Sequence, residues 1–402
     1  MTRLTNHICL LAILWTMVSC FSQHDKKTGF IEENKQFAVR QEKLQIESID
    51  KSGKILNPRT IESSKVKYVA MEDWTSGFYP GTMWYMYELT GNSIWKTYAK
   101  KYTAAIDSVK YITWNHDVGF MIQCSFGNGL RLSSDNEYKA VIIQAAKSLS
   151  TRFHPVAGVI QSWNVDKGWQ SERGWECPVI IDNMMNLELL FNATRLTGDS
   201  SFYKIAVSHA DKTMKNHYRP DYSCYHVVDY SLADGSVRSR QTAQGFANES
   251  AWARGQAWGI YGFTVFYRET RNPKYLRQAQ KAFDFVIHHN NFPADFVPYW
   301  DFDAPNIPNE PRDASAAAII ASALYELSAY ENGEYYRSWA DNIMESLASP
   351  SYRAKLGENG NFLLMHSVGS IPHGAEIDVP LNYADYYFLE ALQRKSKSEG
   401  QK

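Results

Sequence analysis

The chain has 402 residues and a formal net charge of −1. Charge this balanced argues against a nucleic-acid partner, which calls for a basic surface. A chain of this length can bury a sizeable core, as one large domain or as two smaller ones.

Met1-Thr2-Arg3 precedes an apolar run from Ile8 to Val18 and then Ser19-Cys20, the three parts of a secretory signal. The run is too short to span a bilayer, and the abrupt change to Ser22-Gln23-His24-Asp25-Lys26-Lys27 argues against a mature helix. Met17-Val18-Ser19-Cys20 resembles a bacterial lipobox, in which the Cys becomes the lipidated first residue; Met17 stands where Leu is usual. The sequence therefore predicts a signal over 1–20, a flexible linker over 21–45 and a single domain over 46–397. It also predicts an exported protein, periplasmic or attached to the outer membrane through Cys20. Beyond the leader only Cys124, Cys177 and Cys224 remain, too few for a framework of several bridges.

Aromatic residues make up 14% of the chain, and many stand beside polar ones, as in Trp74-Thr75-Ser76-Gly77-Phe78-Tyr79 and Tyr299-Trp300-Asp301. Core packing accounts for most of them. Sugar sites use the same rings, because the apolar faces of a sugar stack on aromatic planes while its hydroxyls meet polar neighbours.

A unit recurs in which a helix ends in a polar turn, an aromatic follows, and an Ala comes four residues later. Leu89-Thr90-Gly91-Asn92 leads to Trp95 and Ala99, and Leu196-Thr197-Gly198-Asp199 to Phe202 and Ala206. Thr270-Arg271-Asn272-Pro273 leads to Tyr275 and Ala279, and Glu331-Asn332-Gly333 to Tyr336 and Ala340. Ser133-Ser134-Asp135-Asn136 before Tyr138 and Ala140 is a looser copy. Gly or Asn closes one helix in the left-handed conformation and Asn, Asp or Ser caps the next, so each unit predicts a helical hairpin. The spacing is too irregular for an open solenoid. With further helical stretches near Asp313–Tyr330 and Leu381–Gln393, about six hairpins close into an all-α (α/α)6 toroid, a simple helical bundle being the alternative. Strand-like alternation is confined to pieces such as Cys224-Tyr225-His226-Val227-Val228.

Three segments carry chemistry. Asn115-His116-Asp117-Val118-Gly119-Phe120 sets a carboxylate beside an imidazole, where a plain turn would bond the Asp to nearby amides. Ile180-Ile181-Asp182-Asn183-Met184-Met185-Asn186 opens a helix, where Asp182 would serve as an N-cap; yet Asn183 and Asn186 add polar groups that need partners. From Gln244 to Gly259, the residues Ala251, Gly255 and Gly259 form a small-residue stripe for close helix packing. Arg254 and Trp258 share a face, and a guanidinium among Gly, Ala and Trp suits a carboxylate ligand. His366 and His373 lack zinc-site spacing, and there is neither a phosphate-cradling Gly loop nor a nucleophile elbow.

Together these motifs resemble the unsaturated glucuronyl hydrolases, glycoside hydrolase family 88. The resemblance runs from Trp74-Thr75-Ser76-Gly77-Phe78-Tyr79-Pro80-Gly81 through the three segments to Arg312-Asp313-Ala314-Ser315-Ala316-Ala317 and Asp385-Tyr386-Tyr387-Phe388-Leu389-Glu390-Ala391. It implies an (α/α)6 barrel with no metal or other cofactor, and removal of a terminal 4,5-unsaturated uronic acid from lyase-generated oligosaccharides. It places Asp182 as the acid/base, Asp117 as the assisting carboxylate, and Trp74, His116, His226, Gln244, Trp252, Arg254 and Trp258 at the substrate. Ser367, Ser370 and His373 are expected in a C-terminal loop, as contacts to a sulfate or to the sugar at subsite +1. A catalytic Asp182 should be raised in pKa by burial and by Asp117, whereas a helix cap would be lowered. Unsaturated rhamnogalacturonyl hydrolases acting on pectin or ulvan fragments remain an alternative, as does a non-catalytic exported sugar-binding lipoprotein. The latter would not need two carboxylates in one pocket. No protein partner is predicted.

Overall fold

The computed structural model describes residues 29–400. The signal and Cys20, with the first part of the expected linker, lie outside the described residues. From 29 onward the expected linker is instead helix: α1 covers 29–50 and buries Phe37, Ala38, Ile46 and Ile49. Its inward stripe runs 34, 38, 41, 45, 49 at helical spacing, but Asn34, Gln41 and Gln45 occupy three of those places, which hides the apolar period. Asn34 and Gln41 find partners on the barrel, while the Gln45 Nε2 is buried without one. Gln41 Nε2, for instance, donates to the carbonyls of Glu358 and Phe362 at 3.0 and 3.1 Å.

The hairpin β1 (Asn57–Glu62) and β2 (Lys65–Val69) leads to α2 (Phe78–Thr90) and α3 (Ser93–Ala105). Then come α4 (Val118–Ile122), a π-helical turn, α5 (Asn128–Ser133) and α6 (Asn136–Ser150). The short strands β3 (Phe153–His154), β4 (Val159–Ile160) and β5 (Cys177–Ile180) precede a 3-10 helix, Ile181–Asn186, which runs into α7 (Glu188–Thr197) and α8 (Ser200–Asn216). Strands β6 (Val227–Tyr230) and β7 (Val237–Gln241) complete a three-stranded sheet with β5. Helices α9 (Ala253–Thr270), α10 (Pro273–His288), α11 (Ala314–Leu327) and α12 (Gly333–Leu347) follow, then the hairpin β8 (Ser367–Ser370) and β9 (Ala375–Val379), and last α13 (Asn382–Gly400).

Packing alternates along the chain. The ring of α2, α4–α5, α7, α9, α11 and α13 closes on itself through α13 against α2, with α3, α6, α8, α10 and α12 outside it. Helix α1 completes the outer layer, tied through Asp50 to Lys101 of α3 and through Glu33 to Arg353 beyond α12. This is the (α/α)6 barrel. The turns follow the expected chemistry: Asn92, Asp135, Asp199 and Asn272 each accept an N-cap hydrogen bond. Three depart from it: Ser134 and Arg271 take the left-handed position expected of Gly or Asn, and Asn332, itself left-handed, precedes α12 without a side-chain cap. The paired Trp95 and Ala99, Phe202 and Ala206, Tyr275 and Ala279, and Tyr336 and Ala340 are all buried. In the looser copy the inward partner of Tyr138 is Ile142, while Ala140 is exposed.

Candidate active site

All inner helices start at one end of the barrel. Trp74 lies ahead of α2, Asp117 immediately before α4, Asp182 ahead of α7, Arg254 in the first turn of α9 and Tyr383 in that of α13. These five line one cleft of about 330 Å³. Helix N-termini converging on a cavity give it a positive field that favours an anionic ligand. A larger cavity, about 560 Å³, lies at the C-terminal ends. There Arg268 pairs with Glu188, Glu269 and Glu326, and Arg394 with Glu326 and Glu390. Its charges satisfy one another, with cations at the negative helix ends.

Asp182 is placed by strand register. Ile180 of β5 pairs with Val227 of β6, and the Ile181 N–H donates to the His226 carbonyl at 3.0 Å, which sets Asp182 beside His226. Helix α9 gives way to the 3-10 helix carrying Asp182: a Cβ on Gly262 would come within 2.6 Å of Met184 Cβ, and one on Gly255 within 3.3 Å of Ile181. The small-residue stripe therefore receives Ile181 of this turn at Gly255 and the Tyr218 hydroxyl at Gly259 rather than a neighbouring helix, and Ala251 lies ahead of α9. Asp182 makes no helix cap. Its Oδ2 is buried without a hydrogen-bond partner, 3.7 Å from His226 Nε2.

Asp117 is placed by Asn186. Gly119 lets α4 press onto Asn186, whose backbone a side chain there would strike. The Phe120 N–H donates to Asn186 Oδ1 at 2.7 Å, so Asn186 turns its Nδ2 to Asp117 Oδ1 and His116 Nδ1, each at 3.4 Å. His116 is fully buried, and burial lowers it to about 3, so it stands neutral beside Asp117 at 3.3 Å.

Asp182 and Asp117 are only 8% and 9% exposed. Burial pushes the Asp182 carboxyl up to about 7; nearby Arg254 opposes the shift and Asp117 adds to it. Burial likewise raises Asp117 to about 7, against the pull of Asn186 and Asn115. Both carboxyls are thus poised to exchange protons near neutrality. This is the raised signature that a helix cap would not give.

Of the other residues singled out in the sequence, Trp74, Gln244, Arg254, Ser370 and His373 line the cleft. His116, His226, Trp252, Trp258 and Ser367 do not, and stand buried behind it. Only the first turn of α9 reaches the cleft. Trp258, a turn deeper, packs on Phe120 and Tyr387, while the Trp252 ring lies 4.5 Å from that of His226. Although Arg254 and Trp258 are four residues apart, the guanidinium lies over the Trp252 ring at 4.5 Å. Its fork is taken up by Asp313 at 3.1 Å and by the carbonyls of Val368 and Gly369, because α11 and β8 close over that helix end.

Sequence reasoning missed Trp163, Trp169, Arg59, Glu376 and Tyr383, which also line the cleft. Trp163, Trp169 and Trp175 recur at six-residue intervals around Asp166-Lys167-Gly168, aromatic rings in a polar stretch without helical spacing, and that was a usable signal. Trp163 lies 5.0 Å from Trp169 and stacks on Trp175 at 5.7 Å. Arg59 and Glu376, paired at 2.5 Å, meet from opposite ends of the chain, and no local pattern marks them.

A cleft walled by indoles, with two buried carboxyls able to hold protons at neutral pH, serves acid–base cleavage of a glycan; the protein is a glycoside hydrolase. More narrowly, the chain belongs to Glycosyl Hydrolase Family 88, whose model matches residues 49–397. It is 46% identical over 400 residues to an unsaturated glucuronyl hydrolase of Formosa agariphila, covering 98% of each chain. Among solved structures it resembles an unsaturated glucuronyl hydrolase specific for heparin, with TM-score 0.87 and 43% identity over 92% of this chain and 98% of that one. It also resembles a mutant unsaturated glucuronyl hydrolase of Streptococcus agalactiae complexed with dGlcA-GalNAc6S, with TM-score 0.74 and 27% identity over 90% of each chain.

Proposed function

We propose that Asp182 is the acid with which this enzyme releases the terminal 4,5-unsaturated uronic acid from glycosaminoglycan oligosaccharides. The C4=C5 bond beside the ring oxygen is a vinyl ether. Proton transfer from Asp182 to C4 leaves an oxocarbenium-like centre at C5, water adds there, and Asp182 takes a proton back from that water. The hemiketal then opens and expels the remaining sugar. Hydration replaces the direct displacement of most glycosidases. Asp117 assists as the carboxylate that keeps Asp182 protonated. Trp74 and Gln244 hold the unsaturated ring, and Arg254, its fork held by Asp313 and the Gly369 carbonyl, adds positive charge to the cleft wall. The uronate carboxylate sits in the positive field of the helix N-termini.

One observation carries this reading: Asp182 is buried, bonded to nothing through Oδ2, and raised to about 7 inside an aromatic cleft. Two carboxyls in one pocket also argue against a mere sugar-binding protein, and the relatives favour glucuronyl over pectin or ulvan substrates. The leader and Met17-Val18-Ser19-Cys20 support export and membrane attachment through a lipidated Cys20 as part of the same proposal. The test is incubation with lyase-generated disaccharides from heparin, chondroitin, hyaluronan, pectin and ulvan, following loss of the ultraviolet absorbance of the enol ether. The 43% identical relative specific for heparin makes heparin disaccharides the first choice. Turnover of a glycosaminoglycan product is expected; activity confined to pectin or ulvan products, or none at all, would overturn the reading.

A further inference from the structure

We infer that Arg173 is the residue that reads a sulfate group on the leaving sugar, so that it sets which glycosaminoglycan product this enzyme prefers. The inference rests on the function proposed above. The two carboxyls occupy the closed, inner part of the cleft, so the unsaturated ring lies there and the leaving sugar extends toward the rim. One wall of that rim is Trp169, half-buried, with the exposed His373 ring 5.0 Å away.

Arg173 ends the short 3-10 helix that begins at Trp169. Its guanidinium lies 5.5 Å from the Trp169 ring and 5.5 Å from the Trp175 ring. Two indoles thus flank it, while the residue stays exposed. Its only hydrogen bond among the described residues runs from Nη1 to the Thr242 carbonyl at 3.5 Å, the limit for such a bond. Arg173 stands next to the cleft through Trp169, and the two guanidiniums that line the cleft itself are already engaged. Arg59 pairs with Glu376 and Asp73, and Arg254 pairs with Asp313. Arg173 forms no ion pair among the described residues, and its charge reaches His373, which burial and Arg173 together lower. His373 is therefore a neutral neighbour whose Nδ1 is shared with Ser370 Oγ at 2.7 Å.

An exposed planar cation flanked by aromatic rings, beside a ring of the cleft wall, matches a tetrahedral oxyanion. The sugar that leaves from a glycosaminoglycan lyase product is a hexosamine, and the anionic groups it carries are sulfates. This assigns the reading of the sulfate to the Trp169 wall. Ser370 and His373 act there as neutral contacts, while Ser367 is buried away from it.

The experiment compares kcat/KM for one unsaturated uronate–hexosamine disaccharide in unsulfated, N-sulfated and 6-O-sulfated forms, using the wild type, Arg173→Gln and Arg173→Lys. Arg173→Gln should lose at least about tenfold on a sulfated form, mostly through KM, the scale of one charge-assisted hydrogen bond. It should stay within about twofold on the unsulfated one. Arg173→Lys should recover part of the loss. Added sodium chloride should depress wild-type turnover of the sulfated form and leave Arg173→Gln unaffected. Equal losses on all three forms would make Arg173 a prop for the two indoles, and no loss on any would remove it from recognition; either result overturns the inference. A wild type inactive on all three forms would instead sink the parent reading.

Discussion

His226 directs its Nε2 at Asp182 Oδ2 across 3.7 Å, while its Nδ1 accepts the backbone N–H groups of Ala243 and Gln244 at 3.0 and 3.2 Å. Burial holds the imidazole well below its ordinary pKa, so it is neutral, and the two amides fix its single proton on Nε2. An N–H donor therefore faces Asp182 whenever that carboxyl is ionised. His226→Phe should lower kcat at least about tenfold and reduce stability by about 1–3 kcal/mol, because a buried and a half-buried amide lose their acceptor. Kinetics paired with urea unfolding would show whether both effects appear.

Asp182→Asn should abolish acid catalysis while leaving the fold intact. No cap is lost, and near pH 4, where the folded Asp182 is still protonated, an amide is nearly isosteric with the acid, so urea unfolding there should change by about 1 kcal/mol or less. Turnover should fall at least about a hundredfold. In heavy water the wild type should place deuterium at C4 of the keto-acid product, visible by NMR; a product without it would remove Asp182 as proton donor.

With Asp182 at about 7, activity should fall as pH rises through neutrality, since the protonated form does the work. Asp117 raises that pKa, so Asp117→Asn should move the alkaline limb of kcat/KM to lower pH as well as reducing its height. The stability effect has the same sign. The folded carboxyls bind protons that the unfolded chain, near 3.8, has released, so their contribution is present at low pH and is lost between about pH 4 and 7. Unfolding of Asp182→Asn across that range should show a smaller decline than the wild type.

Arg254 and Asp313 are 1% and 0% exposed. Arg254→Met would strand the Asp313 carboxylate and should cost about 3–5 kcal/mol. Because Arg254 pulls the Asp182 pKa down, the same variant, assayed well below its melting point, should shift the alkaline limb to higher pH. Arg254→Lys keeps the charge but loses the fork, so it should leave that limb in place while raising KM.

If Cys20 carries lipid, the mature protein should enter the detergent phase on Triton X-114 partitioning, and Cys20→Ala should leave it in the aqueous phase or unprocessed. Identical partitioning of both forms would remove the anchor.

Periodicity and turn chemistry in the sequence determined the hairpins. Gly91-Asn92 and Gly198-Asp199 end one helix and cap the next by local conformational preference, and the buried aromatic and Ala that follow state which face packs inward. Local motifs likewise marked Asp117 and Asp182. Helix α1 was hidden, because its inward stripe is half amide, and amides read as solvent-facing until tertiary partners such as the Phe362 carbonyl are in place. The site was only partly legible for a similar reason. Whether Asp182 caps a helix or stays unbonded depends on the Ile180 and Val227 register, and whether Arg254 meets a ligand or Asp313 depends on how α9 and α11 close. Those are contacts between residues far apart in the chain, and so is the burial that raises both carboxyls to about 7: desolvation comes from what surrounds a side chain in space, which no spacing along the sequence encodes.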